Sequence, residues 1–421
     1  MAPGRVWSRV VEGRSTRRFV LAAGLTLAGA AFARAQTPPR SAPTDSPRLV
    51  LDTGLHQHAG RLVSITPAAV VIRDEAGRLV TFPRRDVVAV IPTLGAAASA
   101  STPKPRPSPT LRLVDGQILP GSLRPDRPAS PDRVRWDSAA LGPVSVPLED
   151  VASIVLLPER DNASAPRPSS ADTVALLNGD RALGFVAAVG PDVVLEADGV
   201  TSTIPRARVV SLGLANSPRP PAGSWVWLPD GTAIAVSAID VAADGAATFS
   251  PRLDTELPAG LAHVESHDLR AVLFDAARLV ALSSLSHAVV PSHDRRWTPP
   301  IAFGDRAQAT LFAADIDLPG PLAVEWTLPP KAERLSMAVE MPPASRVWGD
   351  CEVVVTLDDH ELARARVNGQ APEAAFNVPL RCDAAARLRV TIEPGASGPI
   401  QDRVVLRRAV VLLAATNTDA R

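Results

Sequence analysis

Two tryptophans with charged neighbours are the residues of this chain best suited to holding a ligand: Trp297 beside Arg296, and Trp348 close to Asp350. An indole face packs well on the C–H groups of a sugar ring. Both tryptophans fall in predicted loops, where β-sandwich proteins usually carry function. The chain has no tyrosine, so stacking rests on seven Trp and nine Phe. Trp326 lies on an alternating strand and is expected in a core, as is Trp136. Trp225 and Trp227 share one strand face by period two and are assigned to core packing. Cys351 and Cys382 are the only cysteines. In an oxidising compartment such a pair predicts a disulfide, with two buried free thiols as the alternative.

Other polar clusters have plainer explanations. Asp358, Asp359 and His360 could approach a metal, as could His56 and His58, but polar turns and loops account for both groups. His287 and His293 read as exposed bridge residues. Two cysteines without clustered histidines make no zinc pattern, and no metal or cofactor is assigned. Gly-x-Ser-x-Gly, His-Glu-x-x-His, Walker A and Gly-x-Gly-x-x-Gly are absent, so no catalytic residue is assigned. Glycosidase carboxylates leave no linear signature. The acids here fall mostly at turns and strand starts, where solvation accounts for them.

The elements that must position these residues are strands. Residues 1–35 read as a signal peptide: Arg5, Arg9, Arg14, Arg17 and Arg18 precede an apolar run from Phe19, which closes on Ala33-Arg34-Ala35. Thr16-Arg17-Arg18-Phe19-Val20-Leu21 resembles a twin-arginine export signal. Export to a periplasmic or extracellular space is therefore expected, with no transmembrane segment after cleavage. A Pro/Ser/Thr-rich linker follows at 36–47.

Further proline-rich runs then cut the chain into segments of similar length, at 48–92, 110–158, 172–215 and 223–275. Each opens on a short apolar strand and a tight turn, as in Leu111-Arg112-Leu113-Val114-Asp115-Gly116 and Val174-Ala175-Leu176-Leu177-Asn178-Gly179. A Gly-led strand follows in the first three, for example Gly121-Ser122-Leu123 and Gly184-Phe185-Val186. The fourth strand ends in proline at Pro83, Pro147 and Pro205. Each segment closes on a pattern such as Asp86-Val87-Val88-Ala89-Val90 or His267-Asp268-Leu269-Arg270-Ala271-Val272. Five short alternating strands in about 45 residues suit a small closed barrel. The recurring pattern resembles the SH3-like or LSm-like small β-barrel repeats of bacterial exported proteins. Such small units are marginal alone, so neighbours are expected to pack or pair edges.

After a short bridge, 275–285, the segment 286–415 carries eight or so predicted strands and no helix, which suggests a β-sandwich or jelly roll. One strand is predicted at Ala309-Thr310-Leu311-Phe312, and Asp358-Asp359-His360 is predicted to join two others as a hairpin turn. The segment resembles the NPCBM family of carbohydrate-binding modules. The likeness rests on Leu322 to Trp326, Leu335 to Val339, the hairpin from Gly349 to Asp359, and Gln401-Asp402-Arg403 before Leu406 to Leu413. It departs upstream, where Gly304-Asp305-Arg306-Ala307-Gln308 stands in place of the family's Gly-rich run. The resemblance implies a jelly roll that binds a glycan.

Charge narrows the partners. The chain has 44 basic and 44 acidic residues, a formal net charge of zero and no basic stripe, which argues against nucleic acid. The expectation is an all-β, exported, non-catalytic protein: four small barrels followed by a jelly-roll β-sandwich. Its partner would be a glycan or cell-envelope component, with contacts to other exported proteins as the alternative role.

Overall fold

Alternating apolar residues bounded by Pro, Gly and Asp form strands because successive side chains leave a strand on opposite faces. A computed structural model describes residues 47–93, 108–124, 132–158, 170–255, 262–291, 300–304, 309–396 and 398–415. The signal-peptide reading, nearly all of the linker, Arg296 and Trp297 lie outside these residues. The described chain is built from β-strands and short 3-10 turns, with no α-helix among the described residues. Accordingly, no described helix is long and apolar enough to cross a membrane.

The first half contains four five-strand sets with one strand order. Strands β1 to β5 are Arg48–Asp52, Gln57–Ile65, Ala69–Arg73, Leu79–Pro83 and Val87–Pro92. β1 pairs with both β2 and β5, and β2, β3 and β4 follow in antiparallel succession. Next come β6 to β10, at Thr110–Leu113, Ile118–Leu123, Arg133–Ser138, Gly142–Pro147 and Val151–Val155. The third set is β11 to β15, at Asp172–Leu176, Arg181–Val189, Asp192–Ala197, Val200–Pro205 and Val209–Gly213. Both repeat the pairing of the first set.

The fourth set has an extra short strand. It comprises β16 (Ser224–Trp227), β17 (Ala233–Val241), β18 (Ala246–Pro251), β19 (Asp254–Thr255), β20 (Ala262–Glu265) and β21 (Ala271–Leu273). The extra strand β19 leaves the set and pairs with β9 of the second. In every set a three-residue 3-10 turn joins the penultimate strand to the closing one. The proline before three of these turns fixes φ and withholds a donor, so the ladder stops there.

The sets join through their closing strands. β5 pairs antiparallel with β21, placing Val90 opposite Val272. β10 pairs antiparallel with β15, placing Ile154 opposite Leu212. These four residues occupy equivalent places in the sequence pattern, so the first set faces the fourth, and the second faces the third, about local two-fold relations. One hydrophobic core runs through all four sets, from Val50 and Ile72 to Phe249 and Val272. Thus the edge pairing expected of small units occurs, and it also merges their cores.

Two antiparallel sheets stack in the second half. One comprises β22 (Leu279–Ala281), β24 (Ala302–Phe303), β25 (Ile316–Pro319), β27 (Ala332–Glu340), β30 (Glu373–Pro379) and β32 (Arg403–Leu413). The other orders β23 (His287–Pro291), β26 (Leu322–Leu328), β31 (Ala386–Pro394), β28 (Asp350–Leu357) and β29 (His360–Asn368). Their shared core includes Trp326, Met337, Val353 and Leu406. The hairpin predicted at Asp358-Asp359-His360 is present, but its turn is Asp358 and Asp359 alone, both with positive φ (45° and 69°) as a tight hairpin requires, and His360 already begins β29.

Four expectations change. The bridge 275–285 is structured, since β22 lies within it and pairs with β32. The strand predicted at Ala309 to Phe312 is a 3-10 turn, with Leu311 and Phe312 both at positive φ (58° and 59°), and β25 begins only at Ile316. Trp225 and Trp227 do share a face, but it points away from their own set's core. They pack with Phe312, Leu311, Val410 and Leu412 in a separate apolar layer that joins the first and fourth sets to the sandwich. Finally, Cys351 and Cys382 are buried free thiols and form no disulfide. Cys351 lies at the start of β28, whereas Cys382 follows β30 and feels the charge of Asp358, just past the far end of β28. Seven residues of strand separate those ends by roughly 20 Å, beyond the reach of a disulfide.

Candidate functional site at one end of the sandwich

Strand registers gather four loops at one end of the sandwich. Residues 319–322, 341–349, 368–373 and 395–402 all connect strand ends that are neighbours there, as shown by Glu340 opposite both Val405 and Glu373, and Asp350 opposite Asn368. Trp348 tops the second loop with 64% of its surface exposed, beside Val347 at 73%. Ile400, also exposed, tops the fourth. The two loops touch beneath these side chains. Gly349 is buried so tightly that an added Cβ would sit 2.6 Å from the Ser345 carbonyl oxygen and 2.8 Å from that of Gln401. Only a residue without Cβ lets the backbone pass, and that passage holds Trp348 outward.

Polar side chains brace the loops from below. Asp350 is buried and accepts two parallel hydrogen bonds from the Arg366 guanidinium, each 2.6 Å. It also accepts from the backbone N–H of Ala396 at 3.0 Å, which ties in the fourth loop. The Arg366 bond, aided by the Ala396 amide, holds its carboxyl below the usual carboxylate range despite desolvation. Asp402 in turn accepts from the Asp350 backbone N–H at 3.2 Å. Arg346 donates to the Met341 carbonyl at 2.9 Å and pairs with Glu340. The pattern therefore separates roles that proximity in sequence had joined. Trp348 is offered to solvent, while Asp350 is spent on holding the loops. Arg366, sixteen positions on, was not singled out by sequence. Its place opposite Glu352, next to Asp350 in the register, is known only once β28 and β29 are paired.

Other sequence candidates go elsewhere. Asp52 accepts from both His56, at 3.2 Å, and His58, at 3.0 Å, and from two backbone amides of its own turn. No group of three or more His, Cys, Asp or Glu suited to a metal occurs among the described residues. Asp358 and Asp359 lie at the opposite end of the sandwich, where Asp358 accepts from the Arg387 backbone and Asp359 pairs with Arg387 and Arg389. Many acids of the sandwich stand within strands rather than at turns. Arg364 bridges Glu352, Glu361 and Glu393, Arg389 pairs with Glu325, and Arg407 pairs with Glu340 and Asp315. Apart from Glu361, which shares β29 with Arg364, and Asp315, which precedes β25, these are cross-strand pairs that commit the carboxylates to the sheet surface.

No protein-family model matches the chain. No curated protein matches it either. Among solved structures, the chain is similar to a CBM51 from Clostridium perfringens GH95 in complex with methyl-galactose, at 13% identity and a TM-score of 0.26, covering 32% of this chain and 99% of that one. It is also similar to the tandem CBM51 modules of Sp3GH98 from Streptococcus pneumoniae SP3-BS71, at 9% identity and a TM-score of 0.27, covering 72% and 88%. A third is the CBM22-1 xylan-binding domain from Paenibacillus barcinonensis Xyn10C, at 10% identity and a TM-score of 0.19, covering 33% and 88%. TM-scores this far below one half decide neither fold family nor ligand.

Proposed function

We propose that this is an exported, non-catalytic protein that binds a glycan or cell-envelope polysaccharide through the loops at the Trp348 end of a jelly-roll sandwich. The four five-strand sets are SH3-like or LSm-like barrels that serve as a joined platform for it. The observation that carries this reading is Trp348 itself: a large indole held outward on a braced loop, next to Val347 and near a loop bearing exposed Ile400. An exposed indole costs solvation free energy unless something covers it, and a sugar ring offers a matching apolar face.

The test is a glycan array probed with the whole chain, followed by titration of the best hit. Glycan binding that falls at least tenfold in Trp348→Ala supports the reading. Silence across the array removes it and favours a scaffold that contacts protein. That second reading has its own observation: Leu183 and Phe185, two positions apart on β12, are 59% and 62% exposed on the third set.

A further inference from the structure

The two face-to-face pairings of the five-strand sets create the same cleft twice. Between the first and fourth sets, a cavity of about 790 Å³ is bounded by the 3-10 turn at Arg84 and Arg85, by Ser237 to Ile239 of β17, and by Phe274 to Arg278 after the last closing strand. Between the second and third sets, a cavity of about 500 Å³ is bounded by the turn at Leu148 and Glu149, by Phe185 and Val186 of β12, and by Leu214 and Asn216 after the closing strand. The architecture is equivalent but the charge is not. Arg84, Arg85 and Arg278 line the first against Asp275 alone, whereas Asp132, Glu149 and Asp172 line the second with Arg133. In a chain with formal net charge zero, this is a local inversion.

Arg84 is the distinctive group. It is half-buried, and its guanidinium carbon lies 3.8 Å from the centroid of the Phe274 ring. Its hydrogen bonds are long: 3.5 Å to the Thr66 carbonyl and 3.4 Å to the Ser224 hydroxyl. No carboxylate pairs with it among the described residues. A guanidinium has five N–H donors, and a half-buried one without an anion is a costly arrangement. Desolvation lowers its pKa in agreement with that geometry. Arg278 approaches from the other wall, fixed by a 3.0 Å bond to the Leu413 carbonyl and reaching Glu333 only at 3.7 Å.

We propose that the cleft between the first and fourth sets binds a small oxyanion, a carboxylate or phosphate group, received by Arg84 with Arg278 and Arg85 at its rim. The planar fork of arginine suits bidentate contact with either group. The site is separate from the Trp348 loops and stands whether or not those bind sugar.

The test is calorimetric titration of the whole chain at low ionic strength with inorganic phosphate and, separately, with glucuronate. Saturable binding of either supports the proposal, and the arm that binds names the oxyanion. Arg84→Gln is expected to weaken that binding at least tenfold. Arg278→Gln is expected to weaken it several-fold and carries the test if the first variant melts abnormally. No saturable heat from either anion, or binding unchanged in both variants, overturns the proposal.

Discussion

Phe312 stands edge-on to Trp225, with ring centroids 4.8 Å apart and planes at 81°. One residue belongs to the sandwich segment and the other to the fourth five-strand set. Trp227 joins the same contact at 5.2 Å. Arg408 reinforces this junction from β32 by donating to the Pro92 carbonyl at 2.6 Å. The two halves of the described chain therefore share an apolar layer with aromatic contacts at its centre.

That layer makes the halves stabilise each other. Trp225→Ala should destabilise the protein by about 3–5 kcal/mol, the range for deleting a fully buried aromatic. A double-mutant cycle with Phe312→Ala should give a coupling of about 0.5–1.5 kcal/mol beyond simple area loss. Urea unfolding of the four proteins checks this. Additive effects would show that the rings do not depend on each other.

Thiol chemistry follows from burial. Cys351 is fully buried, and desolvation together with Asp402 and Asp350 pushes its thiol up to about 12. Cys382 is buried and also raised. The native chain should react slowly with a thiol reagent at neutral pH, because thiolate is the reactive form. Denaturation should release two thiols without any reductant. A mass lower by two hydrogen atoms in the non-reduced chain would instead establish a disulfide.

Acid should weaken the first set. Burial pushes the Asp52 carboxyl upward, but bonds from His58, His56 and Gly54 outweigh this and lower it. A folded pKa below the unfolded one contributes stability that is complete above about pH 4 and disappears as pH falls through the lowered value. Asp52→Ala should therefore cost stability at pH 7, and that cost should shrink toward pH 2–3. Denaturant midpoints of both proteins at the two pH values check the sign.

Adjacent residues at the candidate site should behave oppositely. Trp348→Ala should change stability by no more than about 0.5 kcal/mol, as for most surface substitutions. Gly349→Ala should cost about 1–3 kcal/mol, because its new Cβ would meet two backbone carbonyls. Thermal melts separate the two. A large loss from Trp348→Ala would mean that the indole supports the loop rather than waiting for a ligand.

Much of this was legible in the residues. Alternation placed Trp136 and Trp326 in cores, at 0% and 1% exposure. Recurrent Asp-Gly and Asn-Gly turns marked the strand pairs of the five-strand sets, and Asp358-Asp359-His360 marked a hairpin whose turn is its first two residues. Local patterns of this kind depend on neighbours two to four positions away, and sequence displays those directly. What alternation could not state was which way a face points. Trp225 and Trp227 share a face in either case, and only the docked sandwich makes it an interface rather than part of the set's own core.

Sequence by itself therefore determined that this chain forms strands, where many of them turn, and which side chains share a side. Tertiary structure decided the rest: that Asp350 meets Arg366, that the cysteines stand toward opposite ends of the sandwich, and that Arg84 lies across a cleft from Arg278. Each of those relations is set by strand register and by the docking of whole sheets. Register sums many weak contacts between residues far apart in the chain, so no short stretch of residues contains it.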